Sequence, residues 1–149
     1  MNATDVSSKG KIVSLQLCSG YRKPMQFVDK AEAVENLGFK GDRHALPDSS
    51  RQLLLIEKET LDKLRLNPGE VKENITTIGI NLMILKHRTR LKIGDEVLLE
   101  ITKPCSPCSR MDEIRKGLLQ DLAGRRGMLT RVVKGGFICS GDTIEVIEE

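Results

Sequence analysis

Cys105 and Cys108 are the residues whose types and spacing in this chain are best suited to chemistry. Each follows a proline, and the run that holds them, Lys103-Pro-Cys-Ser-Pro-Cys-Ser-Arg-Met-Asp, comes directly after a strand-like stretch from Glu96 to Thr102. Proline fixes its own φ and favours an extended conformation in the residue before it. The sequence therefore predicts two thiols that leave a rigid strand through a stiffened turn, which aims the sulfur atoms rather than filling a core with them.

Three kinds of chemistry fit a Cys-x-x-Cys pair. Structural zinc normally needs four ligands, and the other two cysteines and both histidines stand alone in the sequence, so zinc would require convergence in the fold. Thioredoxin-like exchange places the pair at a helix N-terminus in a chain that alternates strands and helices, which this chain does not do. The third possibility is a thiolate that ligates a soft-donor metal centre or carries sulfur, favoured by cations such as Lys103, Arg110 and Arg126.

Polar residues in three other segments are candidates for binding a ligand. Gly38-Phe-Lys-Gly-Asp-Arg-His and Gly124-Arg-Arg-Gly combine cations with glycines that let a backbone approach a ligand. Asn74, Thr76 and Thr77 lie in a β-branched stretch and can hydrogen-bond a polar group. On spacing alone the charged segments are equally compatible with solvated turns, and side-chain amides and hydroxyls more often bond the local backbone.

The composition argues against nucleic acid and membranes as partners. Hydrophobic residues make up 39% and charged residues 30% of the 149 positions, as in a folded single domain. With three Phe, one Tyr and no Trp there are few platforms for stacking bases, and the net charge of +3 comes from interspersed signs. The N-terminus has no apolar signal core and no apolar run approaches ~20 residues, so we expect a cytoplasmic protein whose four cysteines are reduced, metal-linked or catalytic.

Hydrophobic patterns predict a mainly β chain with a few short helices (α+β), containing six to eight strands and two or three helices. Residues 1–10 are expected to be loose. Two echoing stretches, 91–101 and 137–147, each place a Gly-Asp turn before a strand, which suggests a closed or partly closed barrel. Strands are predicted at 11–17, 24–28, 51–56, 96–102 and 128–133, a strand or extended loop at 73–82, helices at 57–66 and 113–122, and a short helix or loop at 31–37.

Seven segments, taken in order, resemble those of the MOSC domain, named after the C-terminal domain of molybdenum cofactor sulfurase. Their order and spacing carry the resemblance, which runs from about residue 10 to residue 147 and implies a single MOSC domain over residues 11–149. The segments are Gly38-Phe-Lys-Gly-Asp-Arg-His-Ala, Arg51-Gln-Leu-Leu-Leu-Ile, Glu73-Asn-Ile-Thr-Thr-Ile-Gly-Ile-Asn-Leu, Ile93-Gly-Asp, Pro104-Cys-Ser-Pro-Cys, Gly124-Arg-Arg-Gly and Gly136-Phe-Ile-Cys-Ser-Gly-Asp.

The resemblance implies a β-rich, barrel-like fold and an association with the molybdenum cofactor, molybdopterin. The family includes sulfurase domains, mitochondrial amidoxime-reducing enzymes and small bacterial proteins that reduce N-hydroxylated compounds. It implies that a cysteine of the Pro-Cys motif is the molybdenum ligand or sulfur carrier. Cys108 is favoured because Ser-Arg-Met-Asp follows it, which leaves Cys105 as an auxiliary thiol, or the two roles are reversed.

By the same resemblance, Asn74 and Thr76 would lie near the cofactor. The candidate anion contacts are Arg43, His44, Lys103 and Arg126. No pyridoxal-phosphate site is implied, because the matching segments do not include the aminotransferase-like domain of full sulfurases. They also do not include the N-terminal β-barrel domain of amidoxime reducers.

The leading hypothesis is a cofactor-binding domain that acts in sulfur or cofactor transfer through a cysteine thiolate. One alternative is a molybdenum-dependent reductase of N-hydroxylated compounds, whose electrons come from outside because the chain has no flavin or nicotinamide fingerprint. Others are a non-enzymatic adaptor in cofactor biosynthesis and a thiol redox protein. The expected partners are cofactor-biosynthesis or sulfur-donor proteins, or an electron-donor reductase.

Overall fold

The computed structural model describes residues 8–20 and 23–148. The predicted loose segment lies mainly in residues 1–7, outside this range, and the first strand begins at Ser8. The described residues form eleven strands and three short helices. The strands are β1 (Ser8–Cys18), β2 (Met25–Val28), β3 (Lys30–Val34), β4 (Gly38–Phe39), β5 (Leu53–Glu57), β6 (Ile75–Ile80), β7 (Arg90–Ile93), β8 (Val97–Pro104), β9 (Met128–Lys134), β10 (Gly136–Cys139) and β11 (Thr143–Glu148). The helices are α1 (Lys58–Lys63), α2 (Met111–Ile114) and α3 (Leu118–Asp121).

Seven strands close into a barrel in the order β11-β7-β8-β9-β5-β6-β1, with β1 pairing back onto β11. β2 extends the sheet from β1. β5 and β6 are parallel because α1 crosses between them, whereas the other neighbouring pairs are antiparallel. The mainly β, barrel-like fold is therefore confirmed, although the predicted number of strands was too low.

A second sheet of three strands, in the order β10-β3-β4, accounts for part of this shortfall. The prediction of a short helix or loop over residues 31–37 is wrong, because residues 30–34 form β3. Ala31 and Ala33 are buried while Lys30 is exposed, which is the alternation of a strand. Alanine favours helices in isolation, so here pairing with β10 overrides the local preference.

The core has two main parts. Leu15, Leu55, Ile75 and Leu99 belong to a large cluster built by both sheets, and each is fully buried. A second cluster lies under the helices and includes Leu61 of α1, Met111 of α2, and Leu118 and Leu122 at α3. It packs the helices together beside the loop that carries Cys108.

The predicted helix over residues 113–122 is two helices. Arg115 is extended and ends α2, and Gly117, with a φ of +88°, directly precedes α3 in a left-handed conformation that suits glycine. The two echoing stretches are confirmed as strand, Gly-Asp turn and strand: β7 leads through Gly94 into β8, and β10 leads through Gly141 into β11. Only the first of these turns is a hairpin, since β10 and β11 lie in different sheets.

Gly127 fixes the approach of the Arg-Arg turn to the barrel. Its φ is +123°, and a Cβ placed there would lie 2.5 Å from the carbonyl oxygen of Leu55. The Gly127 carbonyl also accepts a 2.9 Å hydrogen bond from the backbone N–H of Cys105. The turn that holds Arg126 is thereby joined to the loop that holds the cysteines.

We predict that Gly127→Ala lowers the free energy of unfolding by clearly more than Gly124→Ala does. Both residues have positive φ, which costs about 1–2 kcal/mol for a residue with a Cβ. A Cβ at Gly124 meets nothing within 4 Å, whereas at Gly127 it overlaps backbone, which adds roughly 1–3 kcal/mol. Urea unfolding of both variants measures the difference, and equal losses would contradict this account of the turn.

Candidate functional site

A pocket of about 340 Å³ opens beside the end of β1 and is bounded by α2 and by loops from five parts of the chain. It contains two thiols and five lysine or arginine side chains. The lining residues are Cys18, Gly20, Lys23, Arg43, His44, Lys72, Cys108, Arg110, Met111, Glu113, Ile114 and Arg126.

The two cysteines of the Pro-Cys motif occupy different environments. Cys108 is exposed, lines the pocket, and its carbonyl accepts a 2.9 Å hydrogen bond from the N–H of Met111 at the start of α2. Cys105 is only 7% exposed and packs with Leu54 and Leu129. The prediction that the turn aims its sulfur atoms outward therefore holds for Cys108 but is wrong for Cys105.

Cys18 brings a further thiol to the pocket. It is the last residue of β1, is only 5% exposed, and its Sγ lies 3.5 Å from the carbonyl oxygen of Gly20. No pattern in the sequence connects Cys18 with Cys108, because the pocket joins the end of the first strand to a loop 90 residues later. All four cysteines are free thiols.

Positive charge dominates the pocket. Lys23, Lys72, Arg43, Arg110 and Arg126 line it, and Glu113 is the one carboxylate among the described lining residues. Such a surface favours an anionic ligand.

Lys72 occupies an uncommon backbone conformation in the pocket wall. Its φ is +69°, and its Nζ donates a 3.2 Å hydrogen bond to the carbonyl oxygen of Lys23. This left-handed backbone conformation costs free energy in any residue that has a Cβ, including lysine. The conformation lets Val71 and Glu73, on either side of Lys72, both be buried in the protein.

Arg126 is the buried cation of the site, with an exposed fraction of 6%. Its Nη2 donates a hydrogen bond to the carbonyl oxygen of Val71, whereas its Nη1 is buried with no hydrogen-bond partner. Burial lowers the pKa of Arg126, and the nearby Cys105, Glu73 and Cys108 oppose this effect. A buried guanidinium with an unused donor in a pocket wall is suited to an anionic group of a ligand.

Asp42 organises the opposite wall of the pocket. Its Oδ1 accepts hydrogen bonds from the backbone N–H of Cys18 at 2.6 Å and from Nδ2 of Asn74 at 3.2 Å. Its Oδ2 accepts a 3.1 Å hydrogen bond from the backbone N–H of His44 and lies 3.8 Å from His44 Nδ1. The carboxylate therefore holds the end of β1 and the Arg43-His44 turn in a fixed relation.

Asn74 and Thr76 bond within the protein and do not line the pocket. Asn74 accepts a 3.0 Å hydrogen bond from the N–H of Leu54 and donates to the carbonyl of Gln16 at 3.2 Å as well as to Asp42. The Thr76 hydroxyl donates to a carboxylate oxygen of Glu73 at 2.8 Å. These side chains support the wall from behind.

Four of the predicted site residues lie together in the pocket: Cys108, Arg43, His44 and Arg126. Lys103 does not line it; this residue is exposed on β8 and pairs with Leu129. Sequence reasoning missed Lys23, Cys18 and Asp42 as site residues, and it gave Lys72 and Glu73 no role. Asp42 lies inside the Gly-Asp-Arg-His segment, so its position next to the candidate residues Arg43 and His44 could have identified it. No motif surrounds Lys23 or Lys72.

Within residues 8–20 and 23–148, no three histidine, cysteine, aspartate or glutamate side chains are grouped so that they could hold a metal ion. A metal on Cys108 would therefore need further ligands brought in by a cofactor.

The described part of the chain contains no helix that is long and apolar enough to cross a membrane.

We predict that Asp42→Asn destabilises the fold by about 1–3 kcal/mol, because an amide in place of the carboxylate leaves at least one of the three donors, two of them buried, without an acceptor. Asp95→Asn is the matched control, since Asp95 is exposed in the turn between β7 and β8. Chemical denaturation compares the two variants. A loss no greater for Asp42→Asn than for Asp95→Asn would show that the carboxylate does not organise this wall.

Comparisons with solved structures support the fold. The chain is similar to the YuaD protein of Bacillus subtilis, with a TM-score of 0.83 and 19% identity over 95% of this chain and 97% of that one. It is similar to YiiM of Geobacillus stearothermophilus, with a TM-score of 0.76 and 16% identity over 93% of this chain and 75% of the other. YiiM of Escherichia coli gives a TM-score of 0.69 and 19% identity, covering 93% and 70% of the two chains.

Sequence comparisons give the family. A protein of Gibberella moniliformis named "Reductase" is 43% identical over 84 residues, which make up 54% of this chain but only 15% of that protein. The family model described as the MOSC domain matches residues 40–145, more than two thirds of the chain. The match includes Arg43, His44, Cys105, Cys108 and Arg126, and the chain therefore belongs to the MOSC domain family.

Proposed function

We propose that this chain binds the molybdenum cofactor, with Cys108 as the protein ligand of molybdenum, and acts in sulfur or cofactor transfer. The observation that carries the proposal is the unpartnered Nη1 of Arg126 in a pocket that also presents an exposed thiol. The cofactor combines an anionic phosphate with a metal that accepts thiolate ligands, and the pocket offers a group for each. The residues present therefore fit the cofactor that the family implies.

Each group of pocket residues has a role that follows from its chemistry. Arg126 would bind the phosphate, because it is a rigid buried fork with one pair of donors unused. Lys23, Lys72 and Arg43 would lower the electrostatic cost of bringing in an anion. When bound, the cofactor supplies a molybdenum centre that can exchange two electrons or hold a transferable sulfur atom.

Cys108 suits the ligand role better than Cys105 because of accessibility. Cys108 is exposed within the pocket, whereas Cys105 is buried against Leu54 and Leu129. A metal ligand must be reached by the incoming group, and the burial of Cys105 keeps that group away from its sulfur. Cys105 still acts electrostatically on Arg126, so we assign it a supporting role.

A second candidate function is reduction of N-hydroxylated compounds. It is favoured by the name of the Gibberella moniliformis relative, although the match spans a small part of that protein. An external reductase would have to supply the electrons. The adaptor hypothesis gives no use to an exposed thiol beside an unpartnered buried guanidinium.

The proposal includes a cytoplasmic location, which the four free cysteines support because thiols stay reduced there. The proposed partners are proteins of cofactor biosynthesis or sulfur donation, or an electron-donor reductase for the second candidate. The basic pocket is assigned to the cofactor and not to nucleic acid, because it is a concave site of about 340 Å³ and not an extended basic surface.

We predict that Cys108→Ser lowers the molybdenum and pterin that remain with the anaerobically purified protein at least about tenfold, since even indirect changes around a metal ligand cost 10–100-fold in affinity. Cys105→Ser is the matched control and retains most of the cofactor. Metal analysis and pterin fluorescence measure both variants beside the wild type.

Equal retention of cofactor by the two variants would contradict the assignment of Cys108.

Activity assays on the wild-type protein loaded with cofactor distinguish the two candidate functions. Turnover of an N-hydroxylated substrate with a chemical electron donor would favour the reductase, whereas transfer of sulfur or intact cofactor to an acceptor protein without such turnover would favour the carrier.

A further inference from the structure

Glu73 is a carboxylic acid completely buried behind the pocket. One of its oxygens, Oε2, accepts hydrogen bonds from the N–H of Gly69 at 2.9 Å and from the hydroxyl of Thr76 at 2.8 Å. The other oxygen, Oε1, is buried without a hydrogen-bond partner. Buried polar atoms are nearly always paired, so an orphaned carboxylate oxygen needs a physical explanation.

The explanation is suggested by Arg126, which has an orphaned atom of opposite charge. Val71, whose carbonyl holds Nη2 of Arg126, lies two residues before Glu73. The two side chains interact electrostatically, but Oε1 of Glu73 and Nη1 of Arg126 each lack a hydrogen-bond partner. Each charge is therefore compensated only partly by the other and remains available to a third group.

We propose that Glu73 is the internal counter-ion of Arg126, and that an anion which binds to Arg126 replaces it and causes Glu73 to take up a proton. The inference deepens the anion-binding part of the proposed function. Without a bound anion and above its pKa, the ionised carboxylate of Glu73 partly balances the buried guanidinium. When an anion neutralises the charge of Arg126, the buried carboxylate of Glu73 is no longer stabilised by a positive charge. It is then more stable in its neutral, protonated form.

The direction of the pH dependence follows from this exchange. Burial raises the pKa of Glu73, and the hydrogen bonds from Gly69, from Thr76 and from its own backbone N–H, followed by the charge of Arg126, lower it in part. An anion on Arg126 cancels the last of these effects and raises the pKa further, so the bound protein holds more protons than the free protein. Anion affinity is then weakest above the pKa of Glu73 in the bound state, rises as pH falls through it, and levels off below the pKa of the free state.

Other titratable groups around the pocket have to be separated from Glu73. His44 is the main competitor, because its protonation would also strengthen anion binding at low pH. Glu113 faces the pocket from α2, and Asp42 lies behind Cys18 and His44, where it accepts three hydrogen bonds. The other charged or ionisable groups that face the pocket are Lys23, Lys72, Arg43, Arg110, Cys18 and Cys108, and Cys105 lies behind it beside Arg126.

The test is to measure sulfate binding by calorimetry between pH 5 and pH 8 at constant ionic strength. Sulfate carries the same charge across this range, which phosphate does not. All variants are made in a His44→Gln background to remove the histidine. Arg126→Met must weaken sulfate binding, which locates the bound ion, and Glu73→Gln tests the counter-ion.

We expect sulfate affinity in the His44→Gln protein to fall by roughly fivefold or more as pH rises, a typical magnitude for two coupled sites. Glu73→Gln should bind sulfate more tightly at high pH and lose this dependence, whereas Glu113→Gln should keep it. Thr76→Val provides a second test if Glu73→Gln folds poorly. It removes a donor to the carboxylate, so the transition should move to higher pH.

The inference is overturned if sulfate does not bind, if Arg126→Met binds it as well as the parent does, or if Glu73→Gln and Thr76→Val leave the pH dependence unchanged. Because sulfate binding is measured on protein without cofactor, these outcomes are independent of whether Cys108 ligates molybdenum. A protein that shows the sulfate linkage but retains no pterin would refute the proposed function and leave the counter-ion role intact.

Discussion

The structure of the site depends on one constraint, the burial of the Arg126 guanidinium in the wall of a pocket beside the β-barrel. A charge in such a place is costly unless other groups compensate it. The protein compensates it in part, with the Val71 carbonyl on one nitrogen and the electrostatic influence of Cys105, Glu73 and Cys108. Nη1 remains without a partner, and this incomplete compensation leaves the pocket ready for an anion.

The neighbouring elements can be understood as the means of holding that cation beside a thiol. Gly127 lets the chain after Arg126 pass against β5 and fastens it to the backbone of Cys105, so the guanidinium and the Pro-Cys loop move together. The second hydrophobic cluster fixes α2, which begins three residues after Cys108. The same motif thus supplies one cysteine that anchors the loop and one that faces the pocket.

The fold class and part of the site could be predicted from sequence because they rest on local patterns and on a family resemblance. Alternating apolar residues identified most barrel strands, and the motifs contributed Cys108, Arg43, His44 and Arg126. The helix or loop expected at 31–37 was wrong because the pairing of β3 is non-local. Asn74 and Thr76 bond within the protein because partners such as Gln16, Asp42 and Leu54 reach them through the barrel, which spacing along the chain does not reveal. Lys23 and Lys72 were missed because surface lysines look alike in a sequence.

The central claim is that the thiol of Cys108 and the free donor of Arg126 together hold a molybdenum cofactor. Its most direct test is the molybdenum and pterin content of the wild-type protein, purified anaerobically from cells that make the cofactor. The account predicts near-stoichiometric amounts of both per folded chain, released together when the protein is denatured. Well-folded protein from the same cells that carries neither metal nor pterin would contradict it.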